Sequence, residues 1–456
     1  MSQPLHWRKE LASMLRLAWP VVLAELGWML QGVVDVIMVG RLGPVAIGAV
    51  ALGNAIYYAP SLFGLGLLLG LDTVISHAYG RKDHDACHRW LAQGVYIVAA
   101  ITPVLMVLVF AVGFLVPYFG VAPELLKPTI TYLNIELWGT LPLLLYAASR
   151  RYLQAVGEVR VITITFVVAN LMNWGGNWVL INGKLGFPAM GVAGSAWSTV
   201  LSRIMMAATL FWFAWRYEKK RGHPLFAHWA APHLREIREL LRLGLPAAGQ
   251  LVLEVGAFGI STVFAGKVSP VALAAHQIAL NYASLAFMVP LGISAAASVA
   301  VGHATGGSDP RRARLAGWLA IGLAITFMAL VAVVFFLVPR PLIALYTHDI
   351  GVTSIGVPLL GLAAAFAIFD GTQTVASGAL RGLGHTRISM VANFFGYWTF
   401  GIPLGAWLCF RIGWGVYGLW TGLTASLIVI SIILFIAWQR TSTHACKPVR
   451  HVVPLA

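Results

Sequence analysis

Carboxylic acids inside long apolar runs are the residues of this chain best suited to chemistry. Glu25, Asp35, Glu254 and Asp370 are the clearest cases. An acid within the hydrocarbon of a membrane costs several kcal/mol unless it is paired, hydrated or used for function. Glu254 lies about 12 residues, or roughly 18 Å, into its apolar run, and no Lys or Arg of that run can neutralise it. Such an acid is a candidate for binding a proton or another cation.

The composition places these acids in lipid. Of the 456 residues, 59% are apolar and only 10% are charged, which is too few charges to cover a water-exposed surface. At about 20 apolar residues per crossing, the sequence predicts an all-α integral membrane protein with twelve transmembrane helices. The predicted spans cover residues 16–39, 46–72, 90–115, 126–147, 160–181, 190–215, 242–265, 272–299, 313–338, 353–378, 388–410 and 415–438.

The chain contains the same segment twice. Residues 16–83 align without a gap with residues 242–309, at an offset of 226 positions. Each half has six predicted spans, and because six is even, the two repeats enter the membrane from the same side and are parallel. We therefore predict two six-helix lobes with the substrate path between them. Matched pairs include Gly66/Gly292, His77/His303 and Gly80/Gly306.

The repeat also suggests how the chain is divided. We predict an N-terminal lobe at residues 1–222 and a C-terminal lobe at residues 242–438. The basic stretch 223–241 between them is predicted to be a cytoplasmic linker, and residues 439–456 a cytoplasmic tail.

Basic residues are distributed unevenly between the two predicted faces. Of 31 Lys and Arg residues, 24 fall on the face that holds the N-terminus and six on the other, while Arg203 lies within a span. The 24 include Arg150, Arg151 and Arg381, which we place in cytoplasmic segments. Positive loops stay inside, so we expect a multi-pass protein of the bacterial inner membrane with both termini cytoplasmic. The net charge of +15 then reflects contact with membrane lipid and not nucleic-acid binding.

Signatures of enzymes are missing from the sequence. It has no phosphate-binding loop, no H-E-x-x-H zinc motif and no G-x-S-x-G elbow. Cys87, Cys409 and Cys446 are scattered and do not have metal-ligand or disulfide-framework spacing. We predict that the chain is not an enzyme and has no cofactor. If it transports, an ion gradient of Na⁺ or H⁺ is the expected power source.

Four stretches resemble the MATE (multidrug and toxic compound extrusion) transporters. They are VVDVIMVG at residues 33–40, AAHQIALN at 274–281, PLGI at 290–293 and GALRGLG at 378–384. The resemblance covers nearly the full chain, in order, and it is closest to the NorM-like branch.

The resemblance implies roles for particular residues. In the NorM-like branch, Glu254 and Asp370 would form a cation site in the C-terminal lobe, and Asp35 would be a coupling acid in the N-terminal lobe. Asn177 is an amide where the DinF-like branch tends to carry an acid, so the proton-only mechanism of that branch transfers less safely. Supporting polar residues would be Asn173 and Asn177 beside Asp35, and Tyr282 beside the C-lobe site.

Other residues are weaker candidates. His276 and Gln277 could be polar contacts between helices, and His276 could alternatively carry a proton. Trp28 and Tyr57 could hold an organic cation over their rings in a substrate cavity. Glu25 aligns three positions from the repeat equivalent of Glu254, which suggests a cation site divided between the lobes.

Together these features predict an antiporter that exports lipophilic cationic small molecules in exchange for Na⁺ or H⁺, without an obligate protein partner. The alternative is a flippase for lipid-linked oligosaccharides, which has the same architecture. Its anionic headgroup would require Arg or Lys in the central cavity, and Arg203 is the one arginine that we predict within a span. A prenyltransferase-like enzyme would need Asp-rich metal motifs, whereas the acids here are dispersed.

Overall fold

The computed structural model describes residues 7–222 and 229–445, and within these ranges it contains helices and no strands. Ten helices in the described part are long and apolar enough to cross a membrane. Two further crossings, the fourth and the eleventh, are each built from shorter helical pieces. The prediction of twelve transmembrane helices in two six-helix lobes is confirmed.

The first six crossings form the N-terminal lobe, and all six match predicted spans. They are α1 (Trp7–Gly40), α2 (Pro44–Leu67) continued by α3 (Gly70–Gly80), α4 (His84–Leu115), α5 (Pro123–Glu136) with α6 (Thr140–Ala155), α7 (Val159–Asn182) and α8 (Val192–Lys220).

The second six form the C-terminal lobe. They are α9 (Leu234–Val268), α10 (Pro270–Gly306), α11 (Pro310–Leu337), α13 (Ile350–Gly382), α14 (Thr386–Asn393) with α15 (Ile402–Phe410), and α16 (Val416–Ala445); the short α12 (Pro339–Ala344) links α11 to α13. Helix α9 begins at Leu234, so it extends into the range that we assigned to the linker, and residues 223–228 of that range lie outside the described residues.

The two interrupted crossings depart from α-helical geometry in different ways. The fourth narrows to a 3₁₀ turn at Leu137–Gly139, directly after the buried Glu136. The eleventh widens to a π-helix at Phe394–Gly401, just before Pro403. Proline has no N–H to donate and its ring crowds the carbonyl four residues earlier, so the α-helical ladder cannot pass through unchanged.

Repeat-equivalent glycines bring the two lobes into contact. A methyl group added at Gly80 would overlap the carbonyl oxygen of His303, and one added at Gly306 would overlap that of His77. Gly80 and Gly306 match in the repeat, as do His77 and His303. The two lobes therefore exchange the same contact, as a two-fold axis along the bundle requires.

A second exchange of this kind lies deeper in the bundle. A methyl group at Gly66 would overlap the Cα atom of Ala248, and one at Gly292 would overlap the Cγ2 atom and the backbone nitrogen of Val22. Val22 and Ala248 are also separated by the repeat offset of 226. All these contacts lie in the halves of the helices nearest the face at which α1 begins and α16 ends. We call this face the terminal face.

Each lobe has its own apolar core. One buried cluster contains residues of the C-terminal lobe together with Met14 and Ala18, and another contains residues of the N-terminal lobe together with Leu240, Leu243 and Ala248. The lobes thus pack as two bodies that share side chains on the terminal side and leave a cavity between them.

Candidate transport cavity

A cavity of about 710 Å³ lies between the lobes, and helices of both lobes line it. This volume is within the range of cavities that enclose a drug-sized molecule. Its polar lining includes Glu25, Asp35, Tyr57, Arg150, Arg151, Arg203, Gln250, Glu254, Asp370 and Arg381.

On the C-lobe wall, two acids share one amide. Glu254 is on α9 and Asp370 on α13, and both are buried. The Nε2 atom of Gln373 donates to Glu254 Oε1 at 3.0 Å and reaches Asp370 Oδ1 at 3.4 Å. The Oε1 atom of Gln373 is buried without a hydrogen-bond partner among the described residues. Carboxylate and amide oxygens with free capacity are suited to a proton or a hard cation.

Gln373 is a site residue that the sequence analysis missed. It lies three residues after Asp370, and residues at this spacing on a helix share a face. That spacing could have identified it, because an amide beside an acid inside a span is itself costly unless it is bonded.

On the N-lobe wall, Asp35 is held by three neutral residues. Its Oδ1 atom accepts from Asn177 Nδ2 at 2.6 Å and its Oδ2 atom accepts from Thr199 Oγ1 at 3.3 Å. Asn173 Oδ1 lies 3.3 Å from Asn177 Nδ2 and completes the group. The structure therefore brings Asp35 together with both predicted asparagines, and Thr199 on α8 is an addition that the sequence analysis did not predict.

The other acids near the cavity have basic partners. Glu25 forms an ion pair with Arg150, and Glu136 lies 2.6 Å from Arg203. By contrast, no Lys or Arg of the described chain forms an ion pair with Asp35, Glu254 or Asp370. The acids thus divide into a paired, charge-compensated set and an unpaired set of three.

Glu25 has a different partner from the one that its repeat position suggested. It lines the same cavity as Glu254, but Arg150 neutralises it. The structure assigns Glu25 to this ion pair and does not join it to Glu254 as a divided cation site.

The arginines are a correction to the sequence analysis. Arg150 and Arg151 lie on α6 and Arg381 lies on α13, and all three line the cavity instead of lying in cytoplasmic loops. The expectation that Arg203 is the one arginine available to the central cavity was therefore wrong. These residues lie near the ends of spans, where sequence alone does not separate a loop position from the last turns of a helix.

Trp28 and Tyr57 were predicted to hold a substrate cation over their rings, but the ring of Tyr57 is already covered by a cation of the protein. The guanidinium of Arg203 lies 5.0 Å from the centre of its ring, and Nη1 of Arg203 donates to its hydroxyl at 3.1 Å. Trp28 lines the cavity and packs against Phe166 with ring centres 5.9 Å apart. Trp28 is thus the one of the two that has no cation of the protein on its ring among the described contacts.

Three predicted supporting residues lie away from the acids. The ring nitrogens of His276 are bonded to Thr262 and Trp420, both at 3.0 Å, as for a histidine that joins helices. Gln277 is exposed on α10. The hydroxyl of Tyr282 donates to the carbonyl of Leu342 at 2.7 Å and so ties α10 to α12. The structure does not bring these three residues to the Glu254–Asp370 pair.

Comparison with known proteins identifies the family. The MatE family model matches residues 20–179 and 246–407, one block in each lobe. The chain is 38% identical over 442 residues to the "Probable multidrug resistance protein NorM" of Mesorhizobium japonicum, covering 95% of this chain and 94% of that protein. It is 36% identical over 446 residues to the "Multidrug resistance protein NorM" of Burkholderia vietnamiensis, covering 95% of each.

A solved structure of a MATE transporter has the same fold. The crystal structure of the eukaryotic MATE transporter AtDTX14 superposes with a TM-score of 0.86 at 19% identity, and the match covers 96% of this chain and 98% of that one. The resemblance to MATE proteins and the prediction that the chain is not an enzyme are confirmed. With one family block in each lobe and NorM proteins as full-length relatives, this chain belongs to the MatE family of MATE transporters.

Proposed function

We propose that this protein is a secondary active antiporter that exports lipophilic organic cations in exchange for Na⁺ or H⁺. The names of its NorM relatives as multidrug resistance proteins support the export of drugs. Asp35, Glu254 and Asp370 are buried and form no ion pair with a Lys or Arg in the described ranges, which supports exchange for a cation. A cavity wall that keeps such acids needs a positive charge from outside the protein, and either a coupling ion or a cationic substrate supplies it.

Competition for these acids is what links the two flows. If Glu254 and Asp370 bind either the coupling cation or the substrate, but not both, each lowers the affinity for the other. Ion entering down its gradient then releases substrate on the outer side. The free carbonyl oxygen of Gln373 supports this, because it adds a third oxygen to the two carboxylates.

We further propose that the terminal face is cytoplasmic and that the membrane is the bacterial inner membrane. The excess of Lys and Arg on that face supports this orientation. The glycine contacts between the lobes close the cavity on the same face, so the conformation described here would face outward. Alternating access then requires the lobes to rock about their two-fold axis and separate at these glycines.

A lipid-linked oligosaccharide flippase is less well supported, even though arginines do line the cavity. Arg150 and Arg203 are each compensated by an acid, Glu25 and Glu136, and Arg151 and Arg381 share Asp72. The arginines of the cavity lining therefore leave one positive charge uncompensated, which is too little for a pyrophosphate. The three unpaired acids would also repel such a headgroup.

The proposal is tested with purified protein in liposomes. Uptake of a fluorescent organic cation is followed under an imposed Na⁺ gradient and then under a pH gradient. We expect one of the gradients to drive uptake, and Glu254→Gln and Asp370→Asn each to reduce it at least about tenfold, as expected when a charged partner is lost.

Asp85→Asn is the matched control, because Asp85 is exposed at the start of α4. It should transport like the wild type. Gradient-driven uptake that persists in both cavity variants would refute a coupling role for the C-lobe acids, and uptake driven by neither gradient would refute antiport.

A further inference from the structure

Arginines and acids are unequally matched at the end of the cavity nearest the terminal face, which we call the floor. Among the described residues, the guanidinium groups of Arg150, Arg151 and Arg381 meet two carboxylates there, those of Glu25 and Asp72. Arg150 is paired with Glu25. Arg151 and Arg381 both approach the carboxylate of Asp72. Three cations against two anions leave one formal positive charge on the floor.

The excess charge is centred on Arg381. Its Nε atom lies 3.8 Å from Asp72 Oδ2, which is longer than a hydrogen bond, whereas Arg151 Nη1 approaches the same oxygen at 3.4 Å. The side chain of Arg381 makes no hydrogen bond to the described residues, and its Nε atom is buried without a partner. A guanidinium that is only 9% exposed and has five N–H donors normally has them bonded.

The unbonded guanidinium borders the cavity. Arg381 lines it, as does Ser377 one turn earlier on α13. Asp370 is on the same helix, 11 residues before Arg381, which corresponds to roughly 16 Å along the axis. One wall of the cavity therefore has an unpaired acid at one level and a cation with free donors nearer the floor.

We propose that the floor binds a carboxylate or similar oxyanion of the transported molecule, with Arg381 as its main partner and Arg151 as the second. The inference rests on the proposed export function and narrows its substrate class. Molecules that have both a cationic end and an anionic end are held at both ends. Purely cationic molecules use the acids alone. A guanidinium is well matched to this task, because its planar donors bind both oxygens of a carboxylate.

A pair of dyes that differ in one carboxylate tests the inference. Rhodamine B has a cationic ring system and a free carboxylate, and its ethyl ester keeps the cation and loses the anion. Dissociation constants of both dyes are measured for purified protein by fluorescence anisotropy. In Arg381→Gln we expect the preference for rhodamine B over its ester to fall about tenfold, while the affinity for the ester changes less than about twofold.

Two controls keep the result specific. Arg311→Gln removes an exposed arginine of the same lobe outside the cavity and should leave the preference unchanged. Arg381→Lys keeps the positive charge but loses the planar pair of donors, so its preference should lie between those of the wild type and Arg381→Gln. If Arg381→Gln does not give a monodisperse protein, Arg151→Gln replaces it, because it removes the same excess charge.

An unchanged preference in a folded variant that lacks either arginine would overturn the inference. This outcome is distinct from failure of the proposed function. Ester binding that survives both Glu254→Gln and Asp370→Asn would contradict the cation site, independently of the preference measured for the arginine variants.

Discussion

His77 and His303 occupy equivalent positions in the two repeats, and each bonds to the backbone of the opposite lobe. Nε2 of His77 lies 2.8 Å from the carbonyl oxygen of Gly382, and Nε2 of His303 lies 2.6 Å from that of Ala155. The two carbonyls are themselves separated by about one repeat, since Gly382 ends α13 and Ala155 ends α6. The histidines thus form a symmetric pair of hydrogen bonds across the closed end of the cavity.

Removal of one of these bonds should favour separation of the lobes. We expect His77→Ala and His303→Ala each to weaken the closed state by about 1 kcal/mol, the usual net value of a hydrogen bond. The buried Ser76 on α3 offers a reporter. In a cysteine-free background, Ser76→Cys should react with a maleimide about fivefold faster in either histidine variant.

His348→Ala is the control for these variants, because His348 is exposed at the other end of the bundle. Unequal effects of the two buried histidines, with one of them inert, would contradict the symmetric arrangement.

A methyl group at Gly80 or Gly306 should prevent the lobes from closing. The added carbon would overlap a backbone carbonyl of the opposite lobe, which cannot move aside as a side chain can. We expect either alanine variant to lose most transport and to expose Ser76→Cys to labelling. Gly322→Ala should be neutral, because Gly322 on α11 has open space at that position. Normal transport by both the Gly80 and the Gly306 variant would show that this close contact between the lobes is not required for transport.

Replacement of Gln373 by alanine should weaken cation binding at the C-lobe acids. The change removes the donor shared by Glu254 and Asp370 and also the free carbonyl oxygen. We expect the concentration of coupling ion needed for half-maximal transport to rise about tenfold. Gln277→Ala is the matched control, since Gln277 is exposed on α10, and an equal effect of the two changes would contradict the assignment.

The Glu25–Arg150 pair should contribute to stability more than to coupling. Glu25→Gln leaves the buried guanidinium of Arg150 without its charge partner, which typically costs about 3–5 kcal/mol. We expect a lower midpoint of thermal unfolding, and partial recovery when Arg150→Gln is added. A stable Glu25→Gln protein that has lost ion coupling would instead assign Glu25 to the cation site.

The architecture was predictable because its signals are periodic and long. Apolar runs mark each crossing, and the gapless repeat gives the two-fold relation, so even the broken fourth and eleventh crossings were located by their length. The breaks themselves were not predicted. They depend on local features, such as Pro403 after the π-helix, whose effect on a helix depends on how neighbouring helices compensate it.

The candidate site was predictable in part. The position of an acid within an apolar run identifies Asp35, Glu254 and Asp370, but it does not show whether a partner from another helix neutralises the acid. Glu25 has the same local signal as Glu254. What separates the two acids is Arg150 on α6, which pairs with Glu25 across the cavity lining. Ion pairing of this kind joins residues 125 positions apart, and no pattern within one span reports it.

The exchange of identical contacts across the bundle axis also bears on the origin of the chain. A surface in which Gly66 meets Ala248 while Gly292 meets Val22 is complementary to its own copy. This is the property of an isologous interface in a two-fold symmetric dimer. A six-helix ancestor with this surface could already have assembled with a second copy of itself, so that fusion of two genes required a connecting segment and no new interface.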